Sequence, residues 1–162
     1  MGAEPRARGG AAGAPLIARA GAADGDALRA LFCEYVAYLG EHGRLDGFEE
    51  ELAALPGGYE AVLVARMDGE LAGCVALRRL GDGACELKRL YVRPAARGTG
   101  LGRALAEAAA AEARRLGYRV LRLDTLPTLD AARALYLSLG FRPIGRYNDN
   151  PVPGVLFFEL TL

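Results

Sequence analysis

The chain has 162 residues, 52% of them hydrophobic, and its 20 basic and 20 acidic residues cancel. That length suits a single domain with a sizeable core. The balanced charge gives no general argument for nucleic-acid binding, and no apolar run is long enough to span a bilayer.

Residues 1–14 are rich in Gly, Ala and Arg and lack the apolar stretch of a signal peptide. They read as a disordered tail, with residues 15–162 forming the single domain. The three cysteines, Cys33, Cys74 and Cys85, lack metal-like spacing and read as small buried hydrophobes in a reducing cytoplasm. The single His42 has no partner cluster and reads as a solvent-facing loop residue. No metal site is expected.

Leu16 to Ala20 suits a short first strand. Asp24 is placed to cap a helix whose apolar face runs through Leu28, Leu31, Phe32, Tyr35, Val36 and Leu39. Gly40 ends it. A second short helix is predicted over Gly47 to Leu55, closed by Pro56-Gly57-Gly58. Ala61 to Ala65 reads as a strand buried on both faces. Asp68-Gly69 and Gly81-Asp82-Gly83 are hairpin signals, joining that strand to Leu71–Leu77 and then to Cys85–Val92. A helix follows from Leu101 to Leu116, then a strand from Val120 to Leu123 parallel to its predecessor, because a helix crosses between them. Asp130 is a candidate cap for the last helix, which Gly140 ends. Pro143–Tyr147 and Val155–Leu160 form a closing strand pair. The order is β-α-α-β-β-β-α-β-α-β-β, an α+β mixed sheet with helices on it.

The stretch from Arg97 to Arg103 carries glycines at 98, 100 and 102, between the third meander strand and a helix. Glycines there leave backbone N–H groups uncovered at a positively polarised helix end, which suits a pyrophosphate. A dinucleotide fingerprint needs a third glycine where Arg103 stands, and a Walker A loop needs a lysine that is not there. The spacing Arg97-x-x-Gly100-x-Gly102 resembles the Q/R-x-x-G-x-G/A signature of the GNAT superfamily of N-acetyltransferases. Ala132-x-x-Leu135-Tyr136-x-x-x-Gly140-Phe141 resembles that family's later A-x-x-L/F-Y-x-x-x-G-F signature, and the element order is similar over the whole chain after the tail. One departure stands at Leu129, where many members carry a cofactor-contacting Asn. Thr125 and Thr128 are neighbours able to take over that contact.

The resemblance implies a mixed, mostly antiparallel central sheet with helices on both faces. It implies acetyl-CoA as cosubstrate and direct attack by an amine in a ternary complex. Gly98, Thr99, Gly100, Leu101, Gly102 and Arg103 would offer amides to the pyrophosphate, with charge from Arg97 and Arg103. Main-chain groups of Leu90, Tyr91 and Val92 would meet pantetheine and the oxyanion. Glu86 is the candidate base, against a reading as a solvent-facing residue pairing with Lys88 or Arg79. Tyr136 is the candidate acid for the leaving thiolate, against a reading as core packing. Arg89 and Arg93 read equally as solvated surface. Glu41, Asp46, Glu49, Glu50 and Glu51 read as a solvated face before an acidic acceptor rim, and Tyr147 and Asn148 as acceptor-pocket candidates. Neither nucleic acid nor membrane is an expected partner, and a homodimer is common in the family. The rival readings are a non-catalytic acyl-CoA-binding sensor and, more distantly, a dinucleotide-dependent oxidoreductase. Acceptor identity stays open.

Overall fold

Two tight turns shape the first half of the sheet. Asp68 and Gly69 have φ of 52° and 83°, and Asp82 and Gly83 have 52° and 75°. Such left-handed pairs twist in the sense that adjoining antiparallel strands need. They connect β2 (Ala61–Met67), β3 (Glu70–Gly81) and β4 (Ala84–Val92) into a meander. The structure, a computed structural model, describes residues 13–43 and 46–162. The expected tail therefore lies almost wholly outside the described residues.

β1 (Leu16–Arg19), α1 (Gly25–Leu39) and α2 (Phe48–Ala54) precede the meander. After it come α3 (Leu101–Arg115), β5 (Val120–Thr125), α4 (Asp130–Ser138), β6 (Arg142–Ile144) and β7 (Leu156–Thr161). This is the predicted order, element for element. The sheet runs β1-β2-β3-β4-β5-β7-β6. Its pairs are antiparallel except β4 with β5, which α3 connects by a crossover. That parallel pairing covers only Ala84↔Val120, Cys85↔Leu121 and Glu86↔Arg122. Beyond Glu86 the two strands part.

Helices cover both faces. Leu28, Leu31 and Phe32 of α1 and Phe48 of α2 pack on Val62, Val64 and Cys74. Each of the first three is fully enclosed, a burial worth about 2 kcal/mol per side chain. On the other face Leu101, Leu105, Ala109 and Ala113 of α3 pack on Leu63, Val75, Leu87 and Leu121, with Tyr136 of α4 in the same cluster. The alanines let α3 sit close, and Gly73 on β3 is approached by both the β4 backbone and α3. A Cβ added there would lie 2.7 Å from the Tyr91 carbonyl oxygen and 3.0 Å from Leu105 Cδ1. Gly73→Ala is expected to destabilise the fold by about 2 kcal/mol, read as a lower urea midpoint.

β4 carries a bulge. Lys88 faces Ala76 and Tyr91 faces Cys74, so three steps on β4 oppose two on β3. Arg89 is the extra residue, with φ of 56°. A left-handed arginine costs about 1–2 kcal/mol of backbone strain. Its side chain is firmly held: Glu51 accepts two hydrogen bonds of 2.8 Å, and the guanidinium lies 5.9 and 5.4 Å from the Phe32 and Phe48 ring centres.

Several expectations are corrected here. Arg89 is not solvated surface, and Glu51 is not part of a solvated face, since Tyr59 also donates to it. Arg93 grips Glu34 at 2.8 and 3.0 Å and donates to the Leu71 carbonyl. Cys33 is exposed, because it lies one residue off the apolar stripe of α1; Cys74 and Cys85 are buried as expected. Asp24 precedes α1, but its carboxylate takes the Gly21 N–H and Arg66 instead of capping the helix. Leu129, not Asp130, stands at the N-cap of α4. β6 ends at Ile144, short of the predicted Tyr147.

Candidate active site

The parting of β4 and β5 leaves a cleft of about 550 Å³. Leu90, Tyr91, Val92, Arg97, Gly102 and Tyr136, all singled out from the sequence, line it. β4 has no paired strand on the β5 side after Glu86, so main-chain groups of its last residues face the opening.

The turn into α3 presents a run of open donors. From Gly98 through Arg103 no backbone N–H donates to a protein acceptor among the described residues, and the first bond of the turn is Ala104 N–H to the Gly100 carbonyl at 3.0 Å. Gly98 and Gly100 make this possible with φ of 75° and 84°. Thr99 braces the loop by donating its hydroxyl to the Ala96 carbonyl at 2.6 Å. Open amides at the positive end of a 15-residue helix form an anion cradle. Arg97 borders the cleft with its guanidinium 4.8 Å from the Tyr38 ring centre, donating to the Val92 carbonyl at 3.0 Å. The Arg103 side chain turns instead to Ser138 Oγ at 2.5 Å and to Glu107 at 3.7 Å.

Tyr136 sits on the inward face of α4, its ring edge-on to Phe141 with centres 5.6 Å apart. Its hydroxyl has no hydrogen-bond partner among the described residues and is not sealed off, so it opens on the cleft. Burial, reinforced by Tyr35 and Asp124, pushes its pKa far above the ordinary tyrosine value. The phenol therefore keeps its proton at neutral pH.

Glu86 is fully enclosed. Arg78 donates to Oε2 at 3.0 and 2.5 Å; Tyr147 and Asn148 donate to Oε1 at 2.8 and 3.3 Å. The partner is thus Arg78, neither Lys88 nor Arg79, and Glu86 is not among the residues lining the cleft. Tyr147 and Asn148 reach this carboxylate, and Asn148 also donates to Asp124 Oδ2 at 2.7 Å. Asn150 adds a second bond to the same oxygen at 3.2 Å.

Asp124 is the residue that sequence reasoning missed. It lines the cleft and also a smaller cavity of about 80 Å³ that shares Tyr35, Arg89, Thr125 and Leu129 with it. The available signal was an acid at the C-terminal end of a parallel strand, where open sheets place their ligands. Leu129 is the position that resembles the family's Asn; Thr125 and Thr128 both line the cleft beside it. His42 is exposed, as expected, and stands at the smaller cavity with Lys88. Among the described residues no cluster is arranged to hold a metal, and no helix is long and apolar enough to cross a membrane.

Comparison with known proteins agrees with this geometry. The model of the acetyltransferase (GNAT) family matches residues 26–141. An uncharacterized N-acetyltransferase of Schizosaccharomyces pombe is 39% identical over 145 residues, covering 86% of this chain and 89% of the relative. The structure of yncA from Salmonella typhimurium with its cofactor acetyl-CoA superposes with a TM-score of 0.73 at 27% identity, covering 91% of this chain and 93% of that one. A GNAT-family acetyltransferase from Staphylococcus aureus shares the fold with a TM-score of 0.76 at 18% identity, over 91% of this chain and 99% of that one. A matched family model over most of the domain, a full-length relative and the open amide cradle beside a splayed strand pair converge, and this chain belongs to the GNAT family of acetyltransferases.

Proposed function

We propose that the cleft holds acetyl-CoA and that the acetyl group passes directly to an amine seated in the adjoining smaller cavity. The observation that carries this is the run of unbonded amides from Gly98 to Arg103, which meets the cleft at Gly102, with Arg97 and Tyr136 in the same lining. The amides receive the pyrophosphate, and the free edge of β4 at Leu90 to Val92 receives pantetheine and the carbonyl oxygen.

The acceptor arrives as an ammonium and must lose a proton before its lone pair can attack. Asp124 borders both cavities, and its Oδ1 has no partner among the described residues, which supports it as the proton acceptor. Glu86, with both oxygens occupied, serves as a positioning residue, fixing Asn148 and through it Asp124. The amine nitrogen then bonds to the thioester carbon, and the carbonyl electrons move onto oxygen. Collapse breaks the C–S bond. Tyr136 gives its proton to the departing sulfur and regains one from solvent. The amide nitrogen sheds its second proton, leaving CoA thiol and an N-acetylated product.

Direct transfer is favoured over a cysteine-bound intermediate. Burial pushes the Cys74 and Cys85 thiols up to about 12, and Cys33 stands exposed on α1 away from both cavities. The reducing cytoplasm is the compartment this reading implies. The test is release of CoA thiol from acetyl-CoA over a panel of amines, with the product identified by mass. Amine-dependent release is expected, and Asp124→Asn should suppress it. Tight acetyl-CoA binding without release for any amine would favour the sensor.

A further inference from the structure

Lys88 is the chain's single lysine, it is half-buried, and it lines the smaller cavity beside the cleft. The arginines around it are matched: Arg78 with Glu86, Arg89 with Glu51, Arg93 with Glu34. Lys88 has no ion pair or hydrogen bond among the described residues. Asp46, Glu50 and Glu51 share a neighbouring pocket with Lys88, but none is ion-paired to it, and Glu51 is taken on both oxygens by Arg89. A partly desolvated ammonium without a counter-ion is unfavourable, and a site that keeps one is set for an incoming anion.

Asp124, on the same cavity, supplies the complement. Its Oδ2 is occupied by Asn148 and Asn150, and its Oδ1 is open. Leu39, Leu126 and Val152 provide apolar lining. The cavity thus offers one unmatched cation and one half-free carboxylate in about 80 Å³, room for about five to eight water-sized groups.

Resting on the acetyl-transfer reading above, we infer that the acceptor is a small amino acid, an amine that also carries a carboxylate. The amine meets Asp124 at the border with the cleft, where the thioester carbon lies. The carboxylate meets Lys88. A protein lysine or a polyamine brings only positive charge, so it leaves Lys88 unmatched and repelled; a chain N-terminus has its carboxyl locked in an amide. Discrimination comes from that repulsion as much as from the new pair.

Thiol release is to be measured with acetyl-CoA and three matched acceptor sets. These are free α-, β- and γ-amino acids, their carboxamides, and the corresponding amines without the acid group. At least one free amino acid should show kcat/KM about 10-fold or more above both counterparts. Lys88→Ala should erase that preference by raising the KM for the acid about 10-fold, with kcat and the carboxamide KM little changed. Lys88→Arg should retain the preference. The inference is overturned if amides or plain amines match the acids, if Lys88→Ala leaves the ratio intact, or if no free amino acid is used while other amines are acetylated. Failure to bind acetyl-CoA by calorimetry strikes the acetyl-transfer reading itself, and this inference with it.

Discussion

Gly100→Glu should weaken acetyl-CoA binding about 100-fold or more, measured by calorimetry. Two effects add. Gly100 has φ of 84°, so a side chain there costs about 1–2 kcal/mol of strain or forces the turn to shift. A carboxylate beside a diphosphate also opposes the open amides that recruit it. Together they reach about 3 kcal/mol, which is roughly 100-fold in affinity. The fold should survive, because an added Cβ at Gly100 meets nothing within 4 Å. Gly100→Ala carries the strain without the charge and should lose about 10-fold. Affinity within threefold of wild type for the glutamate variant, in a protein with a normal melting curve, would remove the loop from the binding site.

Tyr136→Phe should reduce kcat about 100-fold while the KM for acetyl-CoA stays within about threefold. The ring stays packed against Phe141, and the lost hydroxyl has no protein partner to leave stranded. Stability should therefore hold or rise slightly in urea. The direction of the pKa shift sharpens the expectation. A phenol whose pKa is raised by burial remains protonated through the alkaline range, so Tyr136 should contribute no fall in kcat as pH rises toward 10. A variant that turns over at the wild-type rate would make the tyrosine a packing residue.

What was legible in the sequence followed from local physics. Asp68-Gly69 and Asp82-Gly83 could be read because left-handed turn pairs select those residues. The glycines before α3 could be read because only an unobstructed backbone presents a run of amides. Strand and helix identities followed from apolar periodicity. What was not legible depends on contacts far apart in the chain. Asp124 owes its setting to Asn148 and Asn150, 24 and 26 residues later. Arg89 adopts a conformation for which arginine carries no sequence signal, and its anchor Glu51 lies 38 residues earlier. Glu51 and its neighbours have the same local pattern, yet Glu50 is exposed and Glu51 is claimed by the core. β6 stops at Ile144, and Tyr147, predicted to continue it, turns inward to Glu86.

The extra residue at Arg89 also changes what position parity means along β4. Before it, Cys85 and Leu87 join the α3-side core, while Glu86 and Lys88 take the opposite side. After it, Leu90 and Val92 pack with the α3-side cluster, and Tyr91 belongs to the α1-side cluster. Even-numbered positions thus face the α1 side of the sheet before Arg89 and the α3 side after it. Substitutions at Lys88 and Leu90, equal in parity and two residues apart, should report on different substrates: the first on the acceptor, the second on the acyl donor.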